Sequence, residues 1–204
     1  RIVACFGIDE TSRPGCAYVF YEYMPGGTIA SVLEMYGSLH SSLIRQYGAH
    51  MVDALEYLHS NNILHRDIKG SNVLVGADCH VKLSDFGRAK MTAALAMTVA
   101  GSVPWMAPEV MMSSGYDSSA DVWSLGCTFI EMASAKMPWH EMKKDHPVAL
   151  MAQIAFSDVT PGVPEDVEEG LRSVIKECCC VRVASDRWTA ARLKAHPFFQ
   201  RWMT

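Results

Sequence analysis

The sequence has 204 residues, half of them hydrophobic, and a formal net charge of −4. This length and hydrophobic content suffice for a substantial core, whereas the acidic balance argues against nonspecific binding to nucleic acid, which needs a basic surface. The longest apolar helical pattern, around residues 122–133, is too short to cross a bilayer, so no membrane span is expected.

Seven cysteines are spread along the chain, and no two of them form a CxxC pair. Because the number is odd and the spacing lacks this pair, neither a disulfide framework nor a zinc site is predicted. The cysteine triplet at 178–180 lies in an apolar helical pattern, so packing in the core is the simpler interpretation. A reducing compartment is expected, and we assign the chain to the cytoplasm.

Two short strands are predicted near the beginning of the chain. The segment RIVACFG at 1–7 is typical of a buried strand, and AYVFYEY at 17–23 of a second strand rich in aromatic residues. Turn-forming residues at 9–15 separate the two. The sequence MPGGT at 24–28 then ends the second strand, so a strand pair is expected to precede the first helix.

Two helices are predicted after the strands. Thr28 is placed to cap a short helix that runs to about Tyr36. A second helix is expected from a cap at Ser41 or Ser42 to about His59. Its apolar residues recur at steps of three and four, which gives it one apolar face.

The stretch ILHRDIKGSNVLV at 63–75 places polar residues suited to catalysis between two apolar runs. Asp67 stands near Lys69, and Asn72 follows. This group suits phosphoryl transfer, a reaction that asks mainly for positioning and charge stabilisation. The carboxylate can orient a hydroxyl and take its proton late, the lysine can offset charge on the moving phosphate, and the amide oxygen can bind Mg²⁺.

A hairpin is predicted immediately after this stretch, with strands at 72–75 and 81–84 joined by the turn GADCH. Asp85 opens the tripeptide DFG at the end of the second strand. Oxygen ligands on either side of a hairpin can converge on one metal ion. Asn72 and Asp85 are therefore the candidate ligands of Mg²⁺.

The rest of the chain is mostly helical. Residues 85–109 lose periodicity, which is typical of a functional or disordered loop. Residues 121–133 are apolar nearly all round, as in a helix buried inside a domain, and 164–179 form an amphipathic pattern that opens with acids. Two strands followed mainly by helices predict an α+β fold with most of its mass in the helical part.

The order of these motifs resembles that of the protein kinase family. HRDIKGSN at 65–72, DFG at 85–87 and APE at 107–109 match the family's signature set in sequence and order. DVWSLGC at 121–127 resembles the family's buried central helix, and Arg187 stands where the family places the ion-pair partner of the APE glutamate. The resemblance covers essentially the whole chain. It implies a kinase-like fold with a mostly helical large lobe and the last strands of the small lobe.

Further stretches narrow the resemblance to a group within the family. Lys69 and the run GSVPWMAPE at 101–109 resemble serine/threonine kinases rather than tyrosine kinases. Together with YEYMPGGTI at 21–29 and IEMASAKMPW at 130–139, they resemble MAP kinase kinase kinases. The resemblance implies ATP-dependent transfer to Ser or Thr hydroxyls of a protein substrate, a MAP kinase kinase. It also implies regulatory domains or upstream activators outside this chain.

The resemblance assigns a role to each polar residue of the site. Asp67 becomes the catalytic base, Lys69 contacts the transferring phosphate of ATP, and Asn72 and Asp85 hold Mg²⁺ on the phosphate side of the nucleotide. The residues alone leave one alternative open, which is a capped turn with solvated charges.

The resemblance also places the adenine of ATP. The segment from Glu22 to Met24 becomes the hinge, where backbone groups bind the adenine edge. Leu74 packs under the ring, and Tyr21 guards the back of the pocket. From the residues alone, a plain buried strand remains the alternative for 17–23.

Several neighbouring residues have supporting roles by the same resemblance. His65 and Phe86 pack internally and align the loops. Arg66 can pair with a phosphate on the 85–109 loop, for which Thr98 is the candidate phosphosite. Ser102 is expected to position the substrate.

One part of the family pattern is absent from the sequence. The family needs a Gly-rich loop and a lysine on its third strand, yet no lysine precedes Lys69. We therefore expect residues 1–24 to be a remnant of the small lobe with the hinge, and residues 25–204 to be the large lobe. The chain alone is expected to be inactive. The alternative is a pseudokinase or scaffold that binds partners through the fold.

Overall fold

The computed structural model describes the chain in five stretches separated by short gaps. They are residues 1–12, 15–91, 102–112, 115–142 and 147–200. Within these stretches the strands are short, and most of the core lies between helices. None of the helices within the described stretches is long and apolar enough to span a bilayer.

The first two strands, β1 (Cys5–Asp9) and β2 (Tyr18–Tyr21), pair in antiparallel fashion. They lie in the predicted region, but the prediction that they are buried is wrong. The side chains of Phe6 and Phe20 are 74% and 54% exposed. The reason is that, among the described residues, these strands form a sheet with each other alone, and two strands cannot cover their own faces.

Helix α1 (Ile29–Tyr36) begins where its sequence predicts. The Thr28 hydroxyl accepts the backbone N–H of Ser31, and the Ser31 hydroxyl accepts the backbone N–H of Thr28, both at 3.0 Å. This reciprocal pair satisfies two donors that a helix start leaves without partners. Ile29 and Leu33 are buried, so the helix lies against the core along that face.

Helix α2 (Ser41–Ser60) has the predicted apolar face, but its cap differs from the prediction. The N-cap residue is His40, whose ring Nδ1 accepts the backbone N–H of Ser42 at 3.3 Å. The expected cap at Ser41 or Ser42 is therefore wrong by one or two positions. An imidazole nitrogen has taken the acceptor role that a hydroxyl usually fills at a helix start.

Four more strands surround the catalytic stretch, and all are short. Strand β4 (Val73–Val75) pairs with β5 (Val81–Leu83) in antiparallel register. Val73 lies opposite Leu83 and Leu74 opposite Lys82, which confirms the predicted hairpin. Strand β3 pairs with β6. The four strands are β3 (Ile63–Leu64), β4 (Val73–Val75), β5 (Val81–Leu83) and β6 (Lys90–Met91).

Helix α4 (Ser118–Ser134) is the buried centre of the fold, as its all-round apolar pattern predicts. Asp117 caps it by accepting the backbone N–H of Ser119 at 2.7 Å. Every residue from 120 to 132 is buried. The short helix α3 (Pro108–Met111) precedes it.

The described part of the last third of the chain forms four further helices. The predicted helix at 164–179 begins later than expected, because the Arg172 guanidinium binds the carbonyls of Pro164 and Glu165 (3.1 and 2.7 Å) and holds them in a loop. After α6 (Glu169–Ser173) the chain continues as a π-helical turn at 174–179. The four helices are α5 (Pro147–Phe156), α6 (Glu169–Ser173), α7 (Ala190–Lys194) and α8 (Pro197–Gln200).

The cysteine triplet at 178–180 lies in the core, as predicted. All three side chains are buried, and a Cβ on Gly126 of α4 would come within 2.7 Å of the Cys180 sulfur. The π-helical turn therefore packs too closely on α4 for a larger residue at 126. All seven cysteines of the chain are free thiols.

His50 gives the fold an acid-sensitive contact beneath the hairpin. Its Nδ1 accepts the backbone N–H of Val81 at 3.3 Å, and its ring stacks on His80 with centroids 4.7 Å apart. Burial lowers the pKa of His50 to about 4, and the charges of Arg1 and His80 act in the same direction. The folded protein therefore holds this ring neutral at a pH where the unfolded chain protonates it.

We expect the free energy of unfolding to fall as the pH drops from about 6.5 towards 4, since only the unfolded chain takes up this proton in that range. At pH 5 the loss due to His50 amounts to about 2 kcal/mol. His50→Gln keeps an acceptor for Val81 but cannot titrate, so it should flatten this dependence in urea unfolding at pH 7 and pH 5. The same change at the exposed His140 is the control; a variant at 50 with the unaltered slope would contradict the assignment.

Candidate active site

One carboxylate on α4, that of Asp121, binds the backbone of the stretch at 63–75. Asp121 has no exposed surface, and its two oxygens accept the backbone N–H groups of His65 and Arg66, both at 2.9 Å. Arg66 has a φ of 70°, a backbone conformation that is unfavourable for a residue with a long side chain. The two hydrogen bonds from Asp121 hold the loop in this strained conformation.

Two side chains complete the environment of Asp121. The ring Nε2 of His59 lies 2.9 Å from Oδ2, and the Tyr116 hydroxyl donates to Oδ1 at 2.7 Å. Burial alone would raise the pKa of Asp121, but contact with His59, followed by donation from Tyr116 and Arg66, outweighs burial and lowers it. The buried carboxylate is therefore ionised at neutral pH and fully occupied by donors.

His65 and Phe86 pack inside the site, as the resemblance implies. The His65 ring Nε2 donates to the Ser84 carbonyl at 3.0 Å, and the His65 and Phe86 rings lie 4.9 Å apart. Their contact joins the catalytic loop to the segment that carries Asp85. His65 and Phe86 therefore hold the loop around Asp67 and the segment around Asp85 in a fixed relative position.

Asp67, Lys69 and Ser102 form a hydrogen-bonded group at the centre of the site. Lys69 Nζ lies 3.0 Å from Asp67 Oδ2 and 2.6 Å from Ser102 Oγ, and Ser102 Oγ donates to Asp67 Oδ1 at 3.1 Å. The structure thus places Ser102 beside the carboxylate of Asp67. A substrate hydroxyl in the same place would meet one carboxylate acceptor and one ammonium donor.

The carboxyl of Asp67 is held in its charged form. Burial acts to raise its pKa, but the hydrogen bond and charge of Lys69 oppose burial, and Ser102 and Asn72 donate as well. The net result is a pKa below the ordinary value for aspartate. At neutral pH, Asp67 is therefore a hydrogen-bond acceptor that can orient a hydroxyl group.

Asn72 is fixed relative to Asp67 by two hydrogen bonds. Its amide Nδ2 donates to the Asp67 backbone carbonyl at 2.8 Å and to Asp67 Oδ2 at 3.0 Å. Because the amide nitrogen of Asn72 faces Asp67, its amide oxygen Oδ1 faces away from Asp67. That oxygen is the atom suited to a metal ion.

Asp85 lies at the same open end of the hairpin as Asn72. The last pair of the hairpin is Val73 with Leu83, and one step further Ser84 donates both its N–H and its hydroxyl to the Asn72 carbonyl at 2.9 Å. Asp85 follows directly in the left-handed conformation (φ 59°) and is exposed. The hairpin thus brings the two predicted metal ligands to one edge.

The donor chemistry of this edge fits Mg²⁺. One amide oxygen and one carboxylate are hard oxygen ligands, and Mg²⁺ in nucleotide sites takes one or two such protein ligands and fills the rest with phosphates and water. Asp85 Oδ1 already accepts the backbone N–H of Gly87 at 3.3 Å, which holds the carboxylate in place. Asn72 and Asp85 are the residues that would bind the ion.

A second carboxylate of α4 supports the loop after Lys69. Glu131 Oε2 accepts the Gly70 backbone N–H at 2.9 Å and the Trp105 ring N–H at 3.1 Å. A Cβ at position 70 would lie 2.8 Å from Glu131 Oε1, so a larger residue there would have to displace this carboxylate. Burial raises the pKa of Glu131 despite donation by Gly70 and Trp105.

The residues predicted for adenine binding lie in the first part of the chain and in the hairpin. Tyr21 ends β2 and is 58% exposed, while Glu22 and Met24 are partly buried. Leu74 lies in β4, where it forms a bridge with Thr28. Strand β4 therefore carries Leu74, one of the predicted adenine residues, two positions after Asn72.

The predicted ion pair between Glu109 and Arg187 is present. Arg187 Nη1 and Nη2 bind the two carboxylate oxygens at 2.6 and 2.8 Å, and Arg187 is buried. Its guanidinium also lies 5.0 Å from the Trp123 ring centroid. The pair joins α3 to the segment before α7. The predicted phosphosite Thr98 lies outside the described residues, so its pairing with Arg66 stays a prediction.

The anchors Asp121 and Glu131 are the functional residues that sequence reasoning missed. Both stand in a helix whose sequence is apolar nearly all round, so its pattern predicts burial and assigns them no role. A charged residue in such a helix needs partners, because an unpaired buried charge is costly. This rule would have selected both residues from the sequence, although not their partners.

Comparisons with known proteins identify the same family as the sequence motifs. A family model of the protein kinase domain matches residues 1–199. Mitogen-activated protein kinase kinase kinase 3 of Arabidopsis thaliana is 41% identical over 185 residues, which cover 89% of this chain and 30% of that protein. Mitogen-activated protein kinase kinase kinase 3 of Homo sapiens is 38% identical over 206 residues, covering 98% and 32%. The chain thus spans about a third of the length of these relatives.

Proposed function

The chain belongs to the protein kinase family, and from that premise we propose that it transfers the γ-phosphate of ATP to Ser or Thr hydroxyls of a protein substrate. The observation that carries the proposal is the group of Asp67, Lys69 and Ser102, in which an ionised carboxylate and an ammonium meet one hydroxyl within 3.1 Å. This is the arrangement that transfer to a hydroxyl requires, since positioning and charge supply most of the catalysis.

In the proposed reaction the substrate hydroxyl donates its hydrogen bond to Asp67. The new bond forms between the hydroxyl oxygen and the γ-phosphorus of ATP, the bond from that phosphorus to the ADP oxygen breaks, and the proton passes late to Asp67. Lys69, 3.0 Å from Asp67, offsets negative charge on the transferring group. Because the transition state is loose, a base of low pKa suffices.

The nucleotide is proposed to lie along the edge of the hairpin. Backbone groups of 22–24 would bind the adenine, with Leu74 under the ring and Tyr21 at the back of the pocket. Asn72 and Asp85 would hold Mg²⁺. When bound, Mg²⁺ neutralises charge on the phosphates.

The proposed substrate is a MAP kinase kinase. Support comes from the relatives, which are named as kinases of that substrate class and match this chain along most of its length. We further propose regulatory domains or upstream activators outside this chain, since the relatives are about three times as long. A division into a small-lobe remnant at 1–24 and a large lobe at 25–204 is part of the same proposal, as is a reducing, cytoplasmic setting for seven free thiols.

The proposal predicts weak, Mg²⁺-dependent ATP binding and little turnover by this chain alone, because no lysine precedes Lys69 to anchor the phosphates. A fluorescent ATP analogue titrated with and without Mg²⁺ measures the binding. Asp85→Asn should weaken the Mg²⁺-dependent part by about tenfold or more, since even the loss of an outer partner of a metal costs that much.

The control is Asp78→Asn, which removes an exposed acid from the turn of the same hairpin. Equal effects of the two substitutions, or binding that ignores Mg²⁺, would favour the scaffold alternative. Vigorous phosphorylation of a test protein by the chain alone would refute the predicted inactivity.

A further inference from the structure

A carboxylate beside the proposed hinge joins three separate segments of the chain. Lys82 Nζ donates to both side-chain oxygens of Glu22 at 2.8 Å, and the Ala4 backbone N–H donates to Glu22 Oε1 at 2.7 Å. The Glu22 N–H in turn donates to the Ala4 carbonyl at 2.9 Å. We call these three residues the hinge clasp. Donation by Lys82 and then by Ala4 lowers the pKa of Glu22, so the carboxylate is ionised at neutral pH.

Lys82 stands on the strand that leads to the proposed metal ligand. It is the middle residue of β5, pairs with Leu74 across the hairpin and precedes Asp85 by three positions. Its neighbour Leu83 accepts the backbone N–H of Val3 at 2.9 Å. The beginning of the chain and the end of β2 are thus both held against β5.

The sheet of β1 and β2 depends on this region for its orientation. Within the described residues its strands pair with each other. The chain just before its first strand joins the hairpin through the backbone pairing at Leu83, and the chain after segment 22–24 joins it through backbone bonds of Gly26 and Gly27 with Val75. Between these two pairings, the Glu22–Lys82 ion pair is a side-chain contact that holds the segment itself against β5.

We propose that Glu22 and Lys82 are a positioning pair that sets the separation between the adenine segment 22–24 and the phosphate-side residues Asn72 and Asp85. This inference rests on the proposed kinase function. A nucleotide engages both ends of its site only when their separation matches its own length. Loss of the ion pair therefore weakens Mg²⁺–ATP, which spans both ends, and spares adenosine, which reaches only the hinge.

The test compares Lys82→Met and Lys82→Arg in the 204-residue chain by competition of each ligand with a fluorescent ATP analogue. In Lys82→Met we expect the Kd of Mg²⁺–ATP to rise about fivefold, a typical lower value for coupling between two sites. The Kd of adenosine should change by less than about twofold. Lys82→Arg should restore ATP binding, because a guanidinium also donates two parallel bonds to a carboxylate.

Three results would overturn the proposal. Unchanged ATP binding in Lys82→Met would show that the pair positions nothing, and equal weakening of ATP and adenosine would show a general structural role. If the unmutated chain binds neither ligand, the proposed kinase function fails, and this inference fails with it. Should Lys82→Met unfold, Glu22→Gln carries the same expectation, because it keeps the shape and the bond from Ala4 and removes the charge.

Discussion

Replacing Asp67 by asparagine will nearly abolish phosphoryl transfer and leave the fold intact. The amide has almost the same shape as the carboxylate, so the neighbours Lys69, Asn72 and Ser102 keep their places, within 3.1 Å of it in the native site. It cannot accept the proton of the substrate hydroxyl. The loss of a general base lowers the rate by about 100- to 10,000-fold.

Because the chain alone is proposed to be inactive, the measurement uses a domain that combines it with a Gly-rich loop and a preceding lysine. Transfer of labelled phosphate to a protein substrate gives the rate, and thermal melting with nucleotide titration gives the fold and the binding. Asp158→Asn, at an exposed acid far along the chain, is the matched control. Normal transfer by the Asp67→Asn protein would remove Asp67 from its catalytic role.

Asp121→Ala is expected to cause the largest loss of stability. The native carboxylate accepts hydrogen bonds from two backbone N–H groups and from Tyr116, and it contacts the ring of His59. Alanine leaves these donors buried without an acceptor and removes what holds Arg66 at its positive φ. Breaking a buried charged network by deleting one member costs about 3–5 kcal/mol.

Urea unfolding at neutral pH measures this loss directly. The control on the same helix is Asp117→Ala, which deletes an exposed cap and should cost about 1 kcal/mol. If the two variants unfold at the same urea concentration, Asp121 is not the anchor of the catalytic loop.

The proposed catalytic residues could be located from the sequence because they are close together in it. Asp67, Lys69 and Asn72 lie within six positions, so one loop and one hairpin suffice to bring them together. The hairpin followed from its turn residues, and α4 from its apolar pattern. Local chemistry therefore predicted the motif and its secondary structure.

The supporting contacts were not predictable in the same way. The bond from His65 to Asp121 joins residues 56 positions apart, and only the packed fold sets that distance. Burial of the first strands was predicted wrongly because strand propensity indicates a pleated surface and does not say whether a second layer covers it. The late start of α6 was also missed. The Arg172 side chain binds the carbonyls of Pro164 and Glu165, and the helix pattern of the sequence does not show such contacts.

Asp121 of α4 is expected to be kept by a different kind of selection from Asp67. A descendant that gave up catalysis could exchange residue 67 without harm to its folding, whereas residue 121 would remain indispensable for as long as the domain folded at all. In comparisons of related sequences, an aspartate at position 121 is therefore expected to indicate an intact fold. An aspartate at position 67 is expected to distinguish active enzymes from inactive ones.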